Sequence, residues 1–347
     1  MAIYASTFIS GLQDPVSKEL TNLIPDLRIM DLYDGLVVYS TNIHVQKIKN
    51  IKFFNNTFLV LKKFYNLQNS NLNNIIKMCL NMGNIKPKYA GDIVGGNRTF
   101  RIITSKENQL TSVNKNLLRS MEQKIARSYR LTVNRAKPDL EFWFLYRSEK
   151  IGFFMLRLTR HTAYEKILNK GELRPELSHI LCLISEPSPN DIVLDPFCGY
   201  GSIPIARATD FPCNMIFASD IDKQMVNILK NKLKKQKLKK PIFVKEADAL
   251  NMESVFEDNF IDKIITDPPW GFYQHMDIDI NVFYKKMLQE FYRILKPNGI
   301  LVLLTARKKE FENSLADCQN KYKLVDKYHI LVSGKKAAIY KIIKKIK

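Results

Sequence analysis

Two short stretches of this 347-residue chain carry residue types that could hold a ligand and perform chemistry. The first, DPFCGYGS at 195–202, contains one carboxylate and two closely spaced glycines. Gly199 and Gly201 would let the backbone adopt positive φ and approach a ligand, which a residue with a Cβ does only at a cost. Asp195 could pair with a cationic ligand, and a helix start after Gly201 would add free N–H groups.

The second stretch, DPPW at 267–270, combines one carboxylate, bare carbonyl groups and one indole. Pro268 and Pro269 each fix φ and lack an N–H donor, so the loop would be stiff. Such a loop can also be a simple surface turn. Its position in the chain favours a ligand-binding site over a simple turn, because both stretches follow predicted parallel strands. They would then lie on the rim where open α/β sheets bind ligands.

The elements that must position these stretches alternate between strand and helix from residue 191 onward. This alternation predicts a parallel sheet with helices on both faces. The predicted strands are 191–195, 214–219, 241–245, 262–266 and 299–305, and the predicted helices are 202–209, 222–237 and 281–295. A hairpin at 322–343, turning at Gly334, would close the sheet in antiparallel fashion. The lysines at 232–240 would solvate a helix end.

Two further carboxylates follow predicted strands of the same sheet. Asp220 lies 25 positions after Asp195, close to the offset of about 20 residues expected for a ribose-binding carboxylate. A 2′-phosphate would instead need a nearby arginine, so NADP is disfavoured. Asp248 follows the third strand and could accept a hydrogen bond from an adenine amino group. Each carboxylate could instead cap a helix.

The first 160 residues predict two smaller α/β regions. The first has the β-α-β-β-α-β order of a ferredoxin-like domain, with strands at 2–9, 27–33, 35–40 and 57–65 and helices at 14–24 and 43–50. The second follows a polar linker and contains a glycine-rich loop at 91–96 and a basic helix at about 112–128. Charge runs are usually solvated, but this helix could contact RNA. Its cations are Lys115, Arg119, Lys124 and Arg127, flanked by Arg98, Arg101, Arg130, Arg135 and Lys137.

The net charge of +20 favours a polyanionic partner, with nucleic acid the leading candidate. A lysine-rich genome could also inflate the charge, but then it would be spread evenly. Residues 51–150 instead hold 18 Lys+Arg against 6 Asp+Glu, whereas residues 251–300 hold 5 against 8. This segregation is typical of a nucleic-acid-binding surface.

The five scattered cysteines show no spacing typical of a zinc site, so we expect no metal and a reducing, cytoplasmic location. The amino terminus lacks the basic region of a signal peptide. No apolar stretch approaches the roughly 18–20 residues that span a bilayer. We therefore expect a soluble protein without a membrane partner.

The two motifs together resemble the paired motifs of Rossmann-like S-adenosylmethionine (SAM) methyltransferases that act on exocyclic amino nitrogens. The segment KGELRPELS at 170–178 narrows the resemblance to the THUMP-domain RNA guanine-N2 methyltransferases, chiefly tRNA enzymes. The motif resemblance covers residues 170–305, and over the first 160 residues it is one of pattern only. It implies an α/β fold in which a class I methyltransferase domain follows a ferredoxin-like plus THUMP region. The implied boundaries are 1–67 ferredoxin-like, 68–160 THUMP, 161–180 linker and 181–347 methyltransferase.

The resemblance also implies roles for individual residues. Its implied SAM contacts are Asp195, Phe197, Gly199 and Gly201 around the methionine part, Asp220 and Ile221 on ribose, and Asp248 and Ala249 on adenine. Its implied catalytic loop is Asp267, Pro268, Pro269 and Trp270. Its implied partner is RNA, most often the acceptor end of tRNA, and some eukaryotic relatives also need a small activating subunit.

Methyl transfer to guanine N2 suits the DPPW loop chemically. The amine is a poor nucleophile because its lone pair is delocalised into the ring. Asp267 and the Pro268 carbonyl could accept both amino N–H bonds, which would favour a pyramidal nitrogen and free that lone pair. Trp270 offers a face for stacking a flipped base, or it could simply pack in the core. Tyr200, between the glycines, and Trp270 depart from the commonest family pattern and leave base choice open.

Three alternatives remain open at this point. Within the same enzyme class, the target could be guanine N2 or adenine N6 of ribosomal RNA. In a different class, the chain could be a non-catalytic RNA-binding protein with a Rossmann-like scaffold, although the complete set of carboxylates and glycines argues against this. An NAD oxidoreductase would leave the DPPW loop unexplained.

Overall fold

The computed structural model describes residues 1–67, 71–107, 109–159, 168–238, 240–271, 278–332 and 334–346. Residues 68–70 of the polar linker predicted at 68–74, and residues 161–167 of the linker predicted at 161–180, therefore lie outside the described residues. The chain divides into two compact units, Met1–Phe8 with Glu19–His161 and Ile9–Lys18 with Thr162–Lys347. None of the helices in the described ranges has the length and apolar character needed to cross a bilayer.

The first unit begins with the predicted ferredoxin-like pattern, and the strand order β2-β3-β1-β4 confirms it. The strands pair antiparallel, with β1 between β3 and β4. The elements of this pattern are β1 (Ala2–Thr7), α1 (Gln13–Leu23), β2 (Arg28–Tyr33), β3 (Leu36–Thr41), α2 (Val45–Lys49) and β4 (Asn56–Phe64). The residues of α1 up to Lys18 are grouped with the second unit. Strand β3 is buried along its whole length, so both of its faces are covered.

The same sheet continues into the region predicted as THUMP. Strand β4 pairs antiparallel with β9, and the order continues β4-β9-β8-β5-β6, with β7 beside β5. The elements are α3 (Leu72–Asn81), α4 (Gly91–Val94), β5 (Thr99–Lys106), β6 (Gln109–Leu110), α5 (Lys115–Tyr129), β7 (Thr132–Val133), β8 (Leu140–Arg147) and β9 (Ile151–Arg157). A short helix, α4, thus occupies part of the predicted glycine-rich loop. The THUMP assignment and its boundary at residue 68 stay predictions.

The second unit contains the predicted parallel sheet with its antiparallel closing hairpin. The strand order is β12-β11-β10-β13-β14-β16-β15, in which β10 to β14 pair in parallel and β16 pairs antiparallel with both neighbours. The strands are β10 (Ile192–Asp195), β11 (Met215–Asp220), β12 (Ile242–Glu246), β13 (Ile261–Thr266), β14 (Leu295–Thr305), β15 (Tyr322–Val332) and β16 (Lys335–Lys344). The helices are α6 (Pro175–Ile184), α7 (Ser202–Asp210), α8 (Lys223–Lys234), α9 (Ile280–Ile294) and α10 (Lys308–Ala316).

Packing against the sheet explains why these helices form. Helix α9 buries Phe283, Tyr284, Met287, Leu288 and Phe291, the i, i+3, i+4 pattern of an amphipathic helix. Helix α10 escaped the sequence analysis because its buried residues are few and its first turn is strongly charged. The core cluster thus formed fixes β13 and β14 beside β10.

Candidate active site

Three carboxylates lie at the carboxyl ends of adjacent strands. Strand β10 pairs with β11 on one side and with β13 on the other. Asp195 and Asp220 are the last residues of β10 and β11, and Asp267 directly follows β13. Neighbouring strands are about 4.8 Å apart, so the predicted ligand rim brings these acidic groups together.

The glycine turn folds back over the end of β11. The Cys198 N–H donates to the Ser219 carbonyl at 2.9 Å, and the Gly199 N–H donates to the Asp220 carboxylate at 2.9 Å. Gly199 and Gly201 adopt φ of +45° and +80°, as the sequence predicted for this turn. A Cβ at Gly199 would meet no atom within 4 Å, so this side of the turn is open.

Asp195 lies beneath the turn and is only 2% exposed. Its Oδ1 accepts hydrogen bonds from the Thr266 hydroxyl at 2.9 Å and from the Phe197 N–H at 3.3 Å. Burial raises the pKa of Asp195 to about 8; the two hydrogen bonds oppose this shift, while Asp220 and Asp267 add to it. A cation placed here would relieve this crowding of acidic groups.

In the absence of such a cation, stability should fall as the pH rises from about 4 to about 8. Asp195 keeps its proton up to about pH 8 in the folded state, whereas its ordinary pKa is 3.8. The folded state therefore binds more protons in this window, and the group lowers the free energy of unfolding by at most ~1.4 kcal/mol per pH unit. Urea unfolding across this window should show a decline that Asp195→Asn makes shallower. An unchanged decline in that variant would contradict the assignment.

The DPPW loop holds its carboxylate and its indole together. The Trp270 Nε1–H donates to Asp267 Oδ1 at 2.9 Å, and the Arg307 Nε–H donates to the Trp270 carbonyl at 2.8 Å. Among the described residues, Asp267 Oδ2 accepts no hydrogen bond. Burial raises the pKa of Asp267 to about 7, and the bond from Trp270 opposes the shift. Asp267 thus has one oxygen anchored by the indole and, among the described residues, one oxygen without a donor.

Trp270 is half-buried, and its ring edge is used to anchor Asp267. The stacking role of its face stays a prediction. Arg307, which anchors the other side of the loop, was not predicted. The two residues lie 37 positions apart, and no local sequence pattern links an arginine to a loop at that distance.

The remaining predicted cofactor residues differ in their exposure and in the hydrogen bonds they already accept. Asp220 accepts from the N–H groups of Gly199 and Asp222, each at 2.9 Å, so it also shapes the turn. Ile221 is 67% exposed beside it. Asp248 is exposed and accepts from the Leu250 N–H at 2.9 Å.

Phe197 and Ala249 contribute to the core as well as to the rim. Ala249 is 2% exposed and belongs to the core cluster, so it offers a ligand only its backbone. Phe197 packs against Phe283 with ring centroids 5.8 Å apart. The structure thus brings all the predicted site residues to neighbouring strand ends but gives several of them packing roles.

Lys232 connects the glycine turn to the KGELRPELS segment. Its Nζ donates to the Tyr200 carbonyl at 3.0 Å and to Glu172 Oε1 at 3.1 Å. One helical turn earlier, Leu229 packs under Gly201. The prediction that Lys232 merely solvates a helix end was therefore wrong, because its ammonium group holds the glycine turn by a hydrogen bond to the Tyr200 carbonyl.

Some of the predicted RNA-contacting cations have structural partners within the protein. Lys124 donates to the Leu80 and Met82 carbonyls and so caps the end of α3. Arg135 pairs with Glu122 at 2.7 Å, and Arg101 pairs with Glu141. Within the part of the chain that the structure describes, the exposed cations without an ion pair in this region include Arg98, Lys115, Arg119, Arg127, Arg130 and Lys137.

Comparisons with known proteins find similarity to methyltransferases. A family model described as RMKL-like, methyltransferase domain matches residues 162–334. tRNA (guanine(6)-N(2))-methyltransferase THUMP3 of Homo sapiens is 30% identical over 184 residues, which are 50% of this chain and 36% of that protein. The protein named probable tRNA (guanine(10)-N2)-dimethyltransferase of Methanothermococcus thermolithotrophicus is 30% identical over 152 residues, 41% of this chain and 88% of the relative.

The fold also matches a solved structure over its full length. The crystal structure of TrmN from Thermus thermophilus superimposes with a TM-score of 0.80 and 21% identity, covering 100% of both chains. This likeness confirms the Rossmann-like methyltransferase fold. The chain spans only about a third of the human relative's length. It nevertheless matches most of the archaeal relative, and with the family model this shows that the chain belongs to the RMKL-like methyltransferase family.

Proposed function

We propose that the chain is a SAM-dependent RNA methyltransferase that transfers a methyl group to the exocyclic N2 of guanosine in tRNA. The observation that carries this proposal is the Asp267 carboxylate, half-buried beside the glycine turn with one oxygen anchored by Trp270. The relatives' names supply the nucleotide and the tRNA. The rival targets, guanine N2 or adenine N6 of ribosomal RNA, have no comparable support.

SAM fits the residues at the strand ends. It carries two cationic groups, an ammonium and a sulfonium, and Asp195 lies in a crowded group of carboxylates whose ionisation a cation would favour. Asp220, with exposed Ile221 beside it, is suited to the ribose and adenine side, and the open face of Gly199 admits close approach. When bound, SAM would supply an electrophilic methyl group. Asp248 and the Ala249 backbone would contact adenine.

The DPPW loop would orient the amine and hold its protons. Asp267 Oδ2 would accept one N–H bond of the guanine amino group, and the Pro268 carbonyl would accept the other. Alignment of the nitrogen with the methyl group within near-attack distance then supplies much of the rate enhancement. Asp267, with its pKa raised to about 7, is well suited to receive the proton that the methylated amine releases.

Lys232→Met should weaken SAM binding through the glycine turn. Loss of a charged hydrogen bond to the Tyr200 carbonyl costs on the order of 1.5 kcal/mol, or about tenfold in Kd. Calorimetric titration with SAM would measure this loss. Lys230→Met is the matched control, since Lys230 is exposed on the same helix. Equal affinities of the two variants would contradict the role of Lys232.

The proposal includes binding of the tRNA acceptor end by the region 68–160. Its exposed cations support an RNA contact, although Lys124, Arg135 and Arg101 have structural partners. It also includes a cytoplasmic location and the option of a small activating subunit. Methylation by the purified chain alone would exclude a requirement for that subunit.

Mass spectrometry of tRNA nucleosides tests the proposal directly. A strain that lacks the protein should lose N2-methylguanosine at one tRNA position, and the purified chain should restore it with SAM. Intact tRNA methylation in that strain, with SAM binding preserved in vitro, would redirect the search to ribosomal RNA. Absence of SAM binding at millimolar concentration would favour the non-catalytic RNA-binding alternative.

A further inference from the structure

A basic cleft lies at the start of α10 on the second unit. It has a volume of about 290 Å³ and is lined by Lys308, Lys309, Glu312, Asn313, Lys327 and His329. It is formed by the start of α10 and by strand β15, neither of which takes part in the site described above.

The charges of this cleft are only partly balanced. Glu312 accepts from Lys327 at 2.8 Å and from the Tyr340 hydroxyl, so its charge is compensated locally. Within the described ranges, Lys308 and Lys309 make no ion pair, and Lys309 is exposed. Two lysines that line the cleft are therefore without an ion-pair partner among the described residues.

The position of these two lysines is electrostatically unfavourable for the helix itself. They are the first two residues of α10, where the helix dipole is positive and acidic residues are preferred; Glu310, the acidic residue of that turn, is paired with Arg307 at 3.5 Å. A local rule broken in this way is expected at a functional site. An anion bound there would relieve the repulsion.

The helix that lines the cleft is linked to the DPPW loop through Arg307, the residue that precedes α10. Arg307 donates to the Trp270 carbonyl at 2.8 Å, and Lys308 is the next residue along the chain. Neighbouring Cα atoms are about 3.8 Å apart, and a lysine side chain extends further still. A nucleotide seated against Trp270 would therefore carry its flanking phosphates within reach of Lys308 and Lys309.

We propose that this cleft binds the RNA backbone beside the target nucleotide, with Lys308 and Lys309 contacting phosphate groups. The inference rests on the proposed function, because it takes the Trp270 loop as the place of the target base. It adds an RNA-binding surface on the catalytic unit itself. Such a surface would help to hold a flipped nucleotide in place, since phosphate contacts position the RNA on the protein without recognising its base sequence.

Charge reversal tests this inference without relying on turnover. The variant Lys308→Glu/Lys309→Glu is compared with wild type and with Lys234→Glu/Lys235→Glu, whose exposed lysines end α8, the helix that leads into β12 at the opposite edge of the sheet. Binding of a fluorescein-labelled, unmodified tRNA transcript is followed by anisotropy over a range of KCl concentrations. The cleft variant should bind about tenfold more weakly, and its log–log salt slope should be shallower by about two. The control should match wild type.

Two further readouts separate RNA binding from a loss of fold. SAM affinity should be the same in all three proteins, and the thermal midpoint of the cleft variant should not fall, because glutamate suits the start of a helix. Lys308→Gln/Lys309→Gln should show a smaller loss of RNA affinity with the same sign. Wild-type RNA affinity in the cleft variant, or no RNA binding by wild type, would overturn the proposal.

Inorganic phosphate serves as a second probe. A cleft built for a small free anion would lose phosphate binding in the variant and keep its RNA affinity, which would also overturn the proposal. Failure of the proposed function has a different outcome, in which all three proteins bind RNA as expected here but none methylates it.

Discussion

Asp267→Ala should abolish methyl transfer while leaving SAM affinity nearly unchanged. The variant loses the only side-chain acceptor of the DPPW loop, and the group suited to take the proton from the amine. Removal of one preorganised polar group from an active site typically lowers kcat by on the order of 10²–10³-fold. Transfer of labelled methyl groups to tRNA measures the first effect, and calorimetry with SAM measures the second.

Asp267→Asn distinguishes chemistry from loop geometry. Its carbonyl oxygen can still accept from the Trp270 Nε1–H, so the loop anchor seen at 2.9 Å is kept. The amide nitrogen, however, is a donor facing the donor groups of the amine. We expect a loss of activity close to that of alanine. Near-normal turnover in this variant, or a large loss of SAM binding in Asp267→Ala, would show that the role is misassigned.

Gly201→Ala should destabilise the protein much more than Gly199→Ala. Both glycines have positive φ, which costs a residue with a Cβ about 1–2 kcal/mol. At Gly201 the new Cβ would also lie 2.2 Å from Leu229 Cδ1 and 3.3 Å from its Cγ, and Leu229 is fully buried. Overpacking adds about 1–3 kcal/mol, so we expect a total of roughly 2–5 kcal/mol.

Urea unfolding of the two variants measures this difference. Gly199→Ala is the control, because its Cβ would meet no atom within 4 Å and only the backbone strain remains. The double variant Gly201→Ala/Leu229→Ala should show less than additive loss, because removing the leucine side chain relieves the contact. Equal losses for the two single glycine variants would contradict the packing described here.

Local motifs made much of the site predictable. The DPFCGYGS and DPPW stretches place their carboxylates by sequence alone, because the ends of parallel strands meet at one edge of a sheet. The partners that fix these loops could not be predicted in the same way. Lys232 reaches Tyr200 across 32 positions and Arg307 reaches Trp270 across 37. A lysine or an arginine on a helix has no local pattern that reveals such a partner.

The same limit explains the errors elsewhere in the chain. Helix α10 has few buried residues, so its periodicity is weak. The sequence also did not indicate that the Nζ of Lys124 caps α3, because its charge alone does not identify such a partner. The strand pattern of the first 67 residues was predicted well, but pairing between β4 and β9 depends on residues far apart in sequence.

That pairing has a consequence for how the chain folds as it is synthesised. The edge of β4 stays unpaired until β9 has emerged from the ribosome, because Phe58 to Phe64 pair with Gly152 to Arg157. At roughly 5–20 residues per second, the intervening segment takes several seconds to make. An exposed strand edge is prone to pair with other chains during such a delay. The amino-terminal half should therefore need chaperone protection during synthesis, and a fragment that stops after β4 should aggregate.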